Sequence, residues 1–344
     1  MYSFKNDYSE GAHPQILNTL VDTNLVQEEG YGEDRYSLEA AELLKKKMAC
    51  SDVAVHFLTG GTQTNMIAIA AFLRPHEAAI AAHTGHINVH ETGAIEATGH
   101  KVLAVSSGKD GKLTVAGIQA MLEAHPDEHM VKPKLVYISD TTENGAVYTK
   151  SELEALSSFC KSHHLYLYLD GARLGSALTS PVNDLELSDL PKLVDAFYIG
   201  GTKNGALLGE ALVICNDALK EDFRYLMKQK GAMLAKGRLT GIQFLVLFRD
   251  DLYSDLAAHA NAMAFKLSKA IQDAGYAFLT PPVSNQIFPI LPHDVIEQLR
   301  RQFYFYDWEQ IDADHSAVRL VTSWATKEEA VDAFSATLKA KAVN

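Results

Sequence analysis

The run "GGTKNGALLGEAL" at 200–212 sets one lysine, Lys203, among glycines at the end of the apolar stretch "AFYIG". A nucleotide-triphosphate loop needs Gly-Lys followed directly by Ser or Thr, so that amides, ammonium and hydroxyl meet one triphosphate and its magnesium. The order here is Gly-Thr-Lys-Asn-Gly, which does not fit. A strand-end lysine can instead be a nucleophilic amine, because burial or nearby cations lower its pKa.

Three further stretches carry chemistry-bearing residues. In "HFLTGGTQTNM" an apolar strand runs through Gly60, Gly61 and Thr62 straight into a helix, whose first amides can cradle a monophosphate. The alternative is an ordinary tight turn. In "LYLYLDGARLG", Asp170 ends an apolar run; a carboxylate there can hold a pyridinium nitrogen protonated, or can simply cap a helix. In "AAHTGHINVHETGAIEATGH", His83, His86 and His90 have a spacing that can share one helix face, the pattern of some zinc sites, although Gly85 and the lack of a remote ligand weaken it. Glu91 and Glu96 in that stretch read as structural or solvated.

These residues need a scaffold that brings strand ends together. From about residue 50 to 215, β-like runs ("DVAVHFL", "KVLAVS", "KLVYIS", "LYLYLD") alternate with helical segments ("TQTNMIAIAAFL", "LTVAGIQAMLEA", "KSELEALSSFCKSHH", "ARLGSAL"). That alternation predicts an α/β fold with a largely parallel sheet, in which ligands collect beyond the carboxyl ends of the strands. Asp170 and Lys203 are about one strand-helix-strand unit apart, which puts them on neighbouring strand ends. Beyond about 220 the pattern changes to long helices, then to the strand "AVRLVTSW" and a closing helix with Thr326 and Glu329 at capping-box spacing. We expect a large domain over 1–240, including the N-terminal segment, and a smaller α+β domain over 241–344.

Composition narrows the class of partner. The 344 residues are 47% hydrophobic, enough for sizeable cores, and the formal net charge of -12 opposes attraction to nucleic acid or anionic membranes. Small-molecule chemistry is favoured. No stretch approaches the ~20 apolar residues of a membrane span, and the amino terminus lacks a secretory pattern. Cys50, Cys160 and Cys215 are too sparse for a disulfide framework and suit a reducing, cytoplasmic setting.

Taken together, the glycine-rich turn, the histidine, the strand-end aspartate and the strand-end lysine resemble a pyridoxal-phosphate enzyme of the aspartate-aminotransferase-like fold (fold type I). More closely, the chain resembles the threonine aldolase and β-eliminating lyase family. The resemblance runs through "NDYSEGAHP", "GYGEDRY", "FLTGGTQTN", "HINVHETGA", "DGARLGSAL", "GGTKNGALLGEAL" and "VRLVTSWA", nearly the full length. It implies pyridoxal 5'-phosphate as cofactor, Lys203 as the Schiff-base lysine and Asp170 on the pyridine nitrogen. It implies Arg173 on the side of the ring's phenolic oxygen, and Gly61 and Thr62 on the phosphate. Arg238 would be a further phosphate ligand, reaching from a neighbouring subunit. His86 would stack on the ring and manage the proton of a substrate β-hydroxyl, while Arg319 would grip the substrate carboxylate, with Asn6 and Tyr31 in substrate-side segments. No metal is implied.

The activity implied is cleavage of the Cα–Cβ bond of a β-hydroxy amino acid, with threonine giving glycine and acetaldehyde. The partner is a small amino acid, and the assembly a homodimer or homotetramer with shared active sites. The family's "SDT", "ENTHN" and "SKG" appear here as "NDY" at 6–8, "DTTEN" at 140–144 and "TKN" at 202–204. These departures touch the substrate side, so β-elimination or another amino-acid lyase reaction stays open. A histidine-clustered metalloenzyme and a noncatalytic small-molecule binding protein are the alternatives from other classes.

Overall fold

The computed structural model describes residues 1–342. Its strands are β1 (Tyr2–Ser3), β2 (Ala54–Leu58), β3 (Glu77–Ala82), β4 (Val102–Val105), β5 (Lys132–Ser139), β6 (Tyr166–Asp170), β7 (Ala196–Gly200), β8 (Glu210–Ile214), β9 (Gln286–Ile287), β10 (Ile290–Pro292), β11 (Phe303–Tyr304), β12 (Tyr306–Gln310) and β13 (His315–Val321). Seven of them form one sheet in the order β2-β8-β7-β6-β5-β3-β4. The expected α/β architecture is therefore present. Only β8 runs against its neighbours, pairing antiparallel with both β2 and β7. The strand β3, absent from the sequence pattern above, is alanine-rich and buried throughout.

Helices cover both faces of this sheet, so its strands read as continuous apolar runs whose alternate residues feed two separate cores. Val136, Ile138, Leu167, Leu169, Phe197 and Ile199 pack on one side. Leu135, Tyr137, Tyr168, Ala196 and Tyr198 pack on the other. Pairing fixes where the strands end: Ser139 lies opposite Asp170, and β6 pairs in parallel with β7. Three carboxyl ends thus open on one edge of the sheet.

The smaller layer is an antiparallel sheet, β10-β13-β12 with β9 also on β13. It packs beneath the Leu252–Asp273 and Glu328–Ala342 helices around Leu267, Ile271, Val318, Leu320 and Phe334. Two features differ from the expected division at residue 240. The Arg238–Arg249 helix spans that point, yet Ile242, Phe244 and Leu247 bury themselves in the large core. Meanwhile β1 pairs with β11, and Phe4 packs into the small core, so the N-terminal segment bridges both layers. Thr326 spends its hydroxyl on the Ser323 amide at 2.7 Å, while the reciprocal capping box forms at Thr149 and Glu152. No helix among the described residues is long and apolar enough to cross a membrane.

Candidate active site

A cavity of about 700 Å³ opens at the carboxyl edge of the large sheet and is closed on its far side by the small layer. Gly61, Thr62, His86, Asp170, Arg173, Lys203 and Arg319 all line it. Sequence positions more than 250 apart therefore meet in one space.

Asp170 sits at the floor, where β6 ends. Its Oδ2 accepts hydrogen bonds from the Tyr137 hydroxyl at 2.5 Å and Asn65 Nδ2 at 3.0 Å. Its Oδ1 accepts from the Tyr198 hydroxyl at 2.5 Å and the Ala172 amide at 3.0 Å. Burial alone would raise its pKa; the charge of His86 and these hydroxyl and amide donors outweigh it and hold the carboxyl below its ordinary value. Every hydrogen-bonding donor is neutral. The carboxylate thus remains ionised without an ion-pair partner among the described residues, which leaves its charge available to a cation in the cavity.

Lys203 lies in the turn from β7 to β8. Its ammonium makes no hydrogen bond or ion pair within the described residues and borders the cavity. Burial lowers its pKa and the charge of Arg173 adds to that, while Asp7, Asp170 and Glu210 pull the other way. A buried amine poised toward its neutral form is a nucleophile. The turn needs Gly205 at φ +92°, where an added Cβ would also strike Leu256 at 2.4 Å. Asn204 does not line the cavity and gives its Nδ2 to the Tyr253 carbonyl at 2.7 Å.

The Gly61–Phe72 helix starts at the cavity wall with Gly60 extended and no side-chain cap. The amides of Gly61 and Thr62 have no partner among the described residues and are free for an anion. A Cβ on Gly61 would come within 2.9 Å of the Tyr198 hydroxyl. His86 begins a helix of only four residues, His86–Val89, and its Nδ1 pairs at 2.8 Å with buried Glu91, which Asn65 also contacts. His83 falls before that helix and pairs with Ser107, so the three histidines do not share a face. No group of His, Cys, Asp or Glu converges as a metal ligand set among the described residues.

The two cavity arginines differ. Arg173 is gripped by Asp7, Nε to Oδ2 at 2.7 Å and Nη2 to Oδ1 at 3.0 Å. Burial opposes its charge, but Asp7 raises its pKa. Among the described residues, the Arg319 guanidinium hydrogen-bonds Gln286 Oε1, at 2.5 Å, and no acid, and lies 5.6 Å from the Trp308 ring centroid. Its Nε has no partner, and burial together with the charge of Arg173 brings its pKa down to about 10. A buried guanidinium without an acid calls for a bound carboxylate.

Three expected residues stand outside this cavity. Asn6 turns back to accept the Tyr8 amide at 3.0 Å, and its neighbours Asp7 and Tyr8 take its place at the site. Tyr31 is 45% exposed beside Lys228. Arg238 donates to the carbonyls of Thr23, Asn24 and Val26 and does not reach the cavity of its own chain. Conversely, Asp7, Glu143, Glu210, Gln286 and Trp308 were not singled out. Asp7 and Glu143 do lie in the two divergent stretches "NDY" and "DTTEN", and Glu210 in the lysine run itself.

The donor set suits pyridoxal phosphate: free helix-end amides for a phosphate, an unneutralised buried carboxylate for a ring cation and an unpartnered lysine for a carbonyl. Comparison with known proteins agrees. The chain is 33% identical over 336 residues to a low specificity L-threonine aldolase of Pseudomonas aeruginosa, covering 95% of this chain and 94% of that one. A solved threonine aldolase of Leishmania major superposes with a TM-score of 0.98 at 52% identity, over 99% of this chain and 100% of that chain. A histidinol-phosphate aminotransferase of Clostridium acetobutylicum, 12% identical, shares the fold over both full chains with a TM-score of 0.74. With a β-eliminating lyase model matching residues 15–292, the chain belongs to the threonine aldolase and β-eliminating lyase family, whose members depend on pyridoxal phosphate.

Proposed function

We propose that this protein is a pyridoxal 5'-phosphate-dependent aldolase that cleaves the Cα–Cβ bond of β-hydroxy amino acids, L-threonine or L-allo-threonine giving glycine and acetaldehyde. The observation that carries the reading is the pairing, across one cavity, of an unpartnered lysine beside an ionised Asp170 with an Arg319 that lacks an acid. The first pair suits the cofactor and the second an amino-acid carboxylate.

Lys203 would hold the cofactor's carbonyl carbon, Asp170 its ring nitrogen, Arg173 the phenolic-oxygen side, and Gly61 and Thr62 the phosphate. Bound there, the cofactor supplies an electron sink for whichever bond at Cα stands perpendicular to its ring. Arg319 therefore selects the reaction by fixing the carboxylate and with it the bond that is turned upright. His86, whose Nδ1 pairs with Glu91, would stack on the cofactor ring. Breaking Cα–Cβ also requires a base for the β-hydroxyl proton, the task that the family resemblance gives to His86. Arg238 reaches the phosphate from a second copy, in a homodimer or homotetramer of the cytoplasm.

The test is incubation of the purified, cofactor-loaded protein with threonine and with serine. Acetaldehyde and glycine from threonine are expected; pyruvate and ammonia as the main products would replace aldol cleavage by β-elimination. Lys203→Ala should abolish the visible absorbance band, and a wild-type protein that takes up no cofactor overturns the reading.

A further inference from the structure

Glu143 is a carboxyl group of the cavity wall with no part in the scheme above. It follows the end of β5, beside the strand that ends in Asp170. Its Oε1 accepts two hydrogen bonds, from the Ser139 hydroxyl at 2.8 Å and from the His86 amide at 2.9 Å. Glu143's own amide also supports the carboxylate, while its Oε2 takes no hydrogen bond from another residue among the described ones and is not sealed in the interior, so it borders the cavity. The other acids differ. Asp170 is saturated with donors, Glu210 has an oxygen on the Gly201 amide and the other on the Thr202 hydroxyl, and Glu91 holds His86 while its Oε2 is closed off. Asp307, at the exposed rim, is paired with Arg300. Among the described residues, Glu143 is the part-buried cavity acid with one oxygen anchored and one presented.

We infer that Glu143 accepts the proton of the substrate's β-hydroxyl, with Ser139 and the His86 amide fixing the carboxylate that receives it. The inference rests on the aldolase reading, in which the His86 ring is stacked on the cofactor, and moves the proton from that ring to the neighbouring carboxylate. In the step the O–H bond breaks, its proton passes to Oε2, and the oxygen's electron pair forms the aldehyde carbonyl. The Cα–Cβ pair stays with Cα, which then takes up one proton, so the net reaction neither consumes nor releases one. Burial raises the Glu143 pKa and the Asp170 charge adds to that, against the Ser139 hydroxyl and His86; Arg173 and Tyr137 also face it. A raised pKa makes a carboxylate a better base near neutrality.

The experiment compares two reactions of the cofactor-loaded enzyme: acetaldehyde release from L-threonine, and exchange of the glycine α-proton in deuterated water, which needs no hydroxyl base. Glu143→Gln is expected to slow the first about 100-fold in kcat and the second less than about threefold, with Glu143→Asp partly restoring cleavage. The visible band and the melting temperature of the cofactor-free protein should be retained. Cleavage at the wild-type rate, or equal loss of both reactions, overturns the inference. If Glu143→Gln fails to fold, Ser139→Ala carries the same comparison, with about tenfold loss confined to cleavage, and equal loss again overturns it. A wild-type enzyme that leaves threonine intact sinks both proposals; one that cleaves it while Glu143→Gln does so equally fast sinks only this one.

Discussion

Asp170 and Asp140 stand at the ends of adjacent strands, joined by the Asp140 amide donating to the Asp170 carbonyl at 2.9 Å, yet they lie in opposite chemical regions. On the cavity side, Asp170 has four donors within 3.0 Å and a lowered pKa. On the other, Asp140 has one side-chain contact, from the Tyr148 amide at 3.3 Å, and burial brings its pKa up to about 8. Both carboxyls are almost fully buried. Donors, not depth, decide which one keeps its charge. The arginines repeat the contrast: Arg173 has an acid, Arg319 has none.

The sharpest way to break the comparison is to remove the charge at each strand end. Asp170→Asn should lower kcat/KM on the order of 10³-fold, since a ring cation bound as proposed would lose its counter-ion in a low-dielectric site. Asp140→Asn should change it less than about threefold, as that group is already neutral near pH 7 and lies outside the cavity. Steady-state kinetics on threonine decide. Equal losses would mean that the strand edge, not the Asp170 charge, was being tested.

Arg319→Lys probes the cationic half. A lysine keeps the charge but not the planar fork, so KM for threonine should rise roughly 10- to 100-fold, with a smaller fall in kcat. Unchanged KM would detach Arg319 from the carboxylate. Smaller again is Tyr137→Phe, which takes one hydroxyl from Asp170; a hydrogen bond to a charged group is worth about 1.5–3 kcal/mol, of which only the part that differs along the reaction appears in the rate, so roughly tenfold in kcat is expected. A rate within twofold of wild type would show that the remaining donors hold the charge by themselves.

These contrasts mark what can be read along a chain. Asp170 and Lys203 were legible because Asp170 ends an apolar run before a glycine and Lys203 sits in the glycine-rich turn just after one, and such turns lie at the ligand edge of a buried sheet. The reversal of β8 was not, since "EALVI" reads alike in either direction; its one signal is the turn from Gly201 to Gly209, shorter than the dozen residues a parallel crossover needs. The grip of Asp7 on Arg173 spans 166 positions, and nothing local to either residue encodes it. Nor does anything local decide which residue of the N-terminal segment faces the site: Asn6 turns back to the Tyr8 amide while Asp7 reaches Arg173. The histidine spacing does not become a shared helix face because the helix begins at His86, after Gly85, leaving His83 outside it.

The mildest prediction concerns stability and returns to Asp140. In the folded protein its carboxyl holds a proton up to about pH 8, whereas in the unfolded chain it releases it near the ordinary 3.8. Across that window the folded state binds more protons, so this group's contribution is fully present below the lower value and is lost as pH rises through the upper one, at up to about 1.4 kcal/mol per unit. Asp170, with its pKa lowered, has the opposite sign: its contribution is present above the ordinary carboxyl range and is lost in acid. Asp140→Asn keeps an acceptor for the Tyr148 amide and removes the titration. Relative to wild type, the variant should therefore gain stability between pH 5 and 8 in urea unfolding of the cofactor-free protein, while Asp170→Asn should not. Parallel pH profiles for wild type and Asp140→Asn would mean that Asp140 is ionised inside the fold, and that one amide at 3.3 Å holds a charge for which Asp170 has four donors.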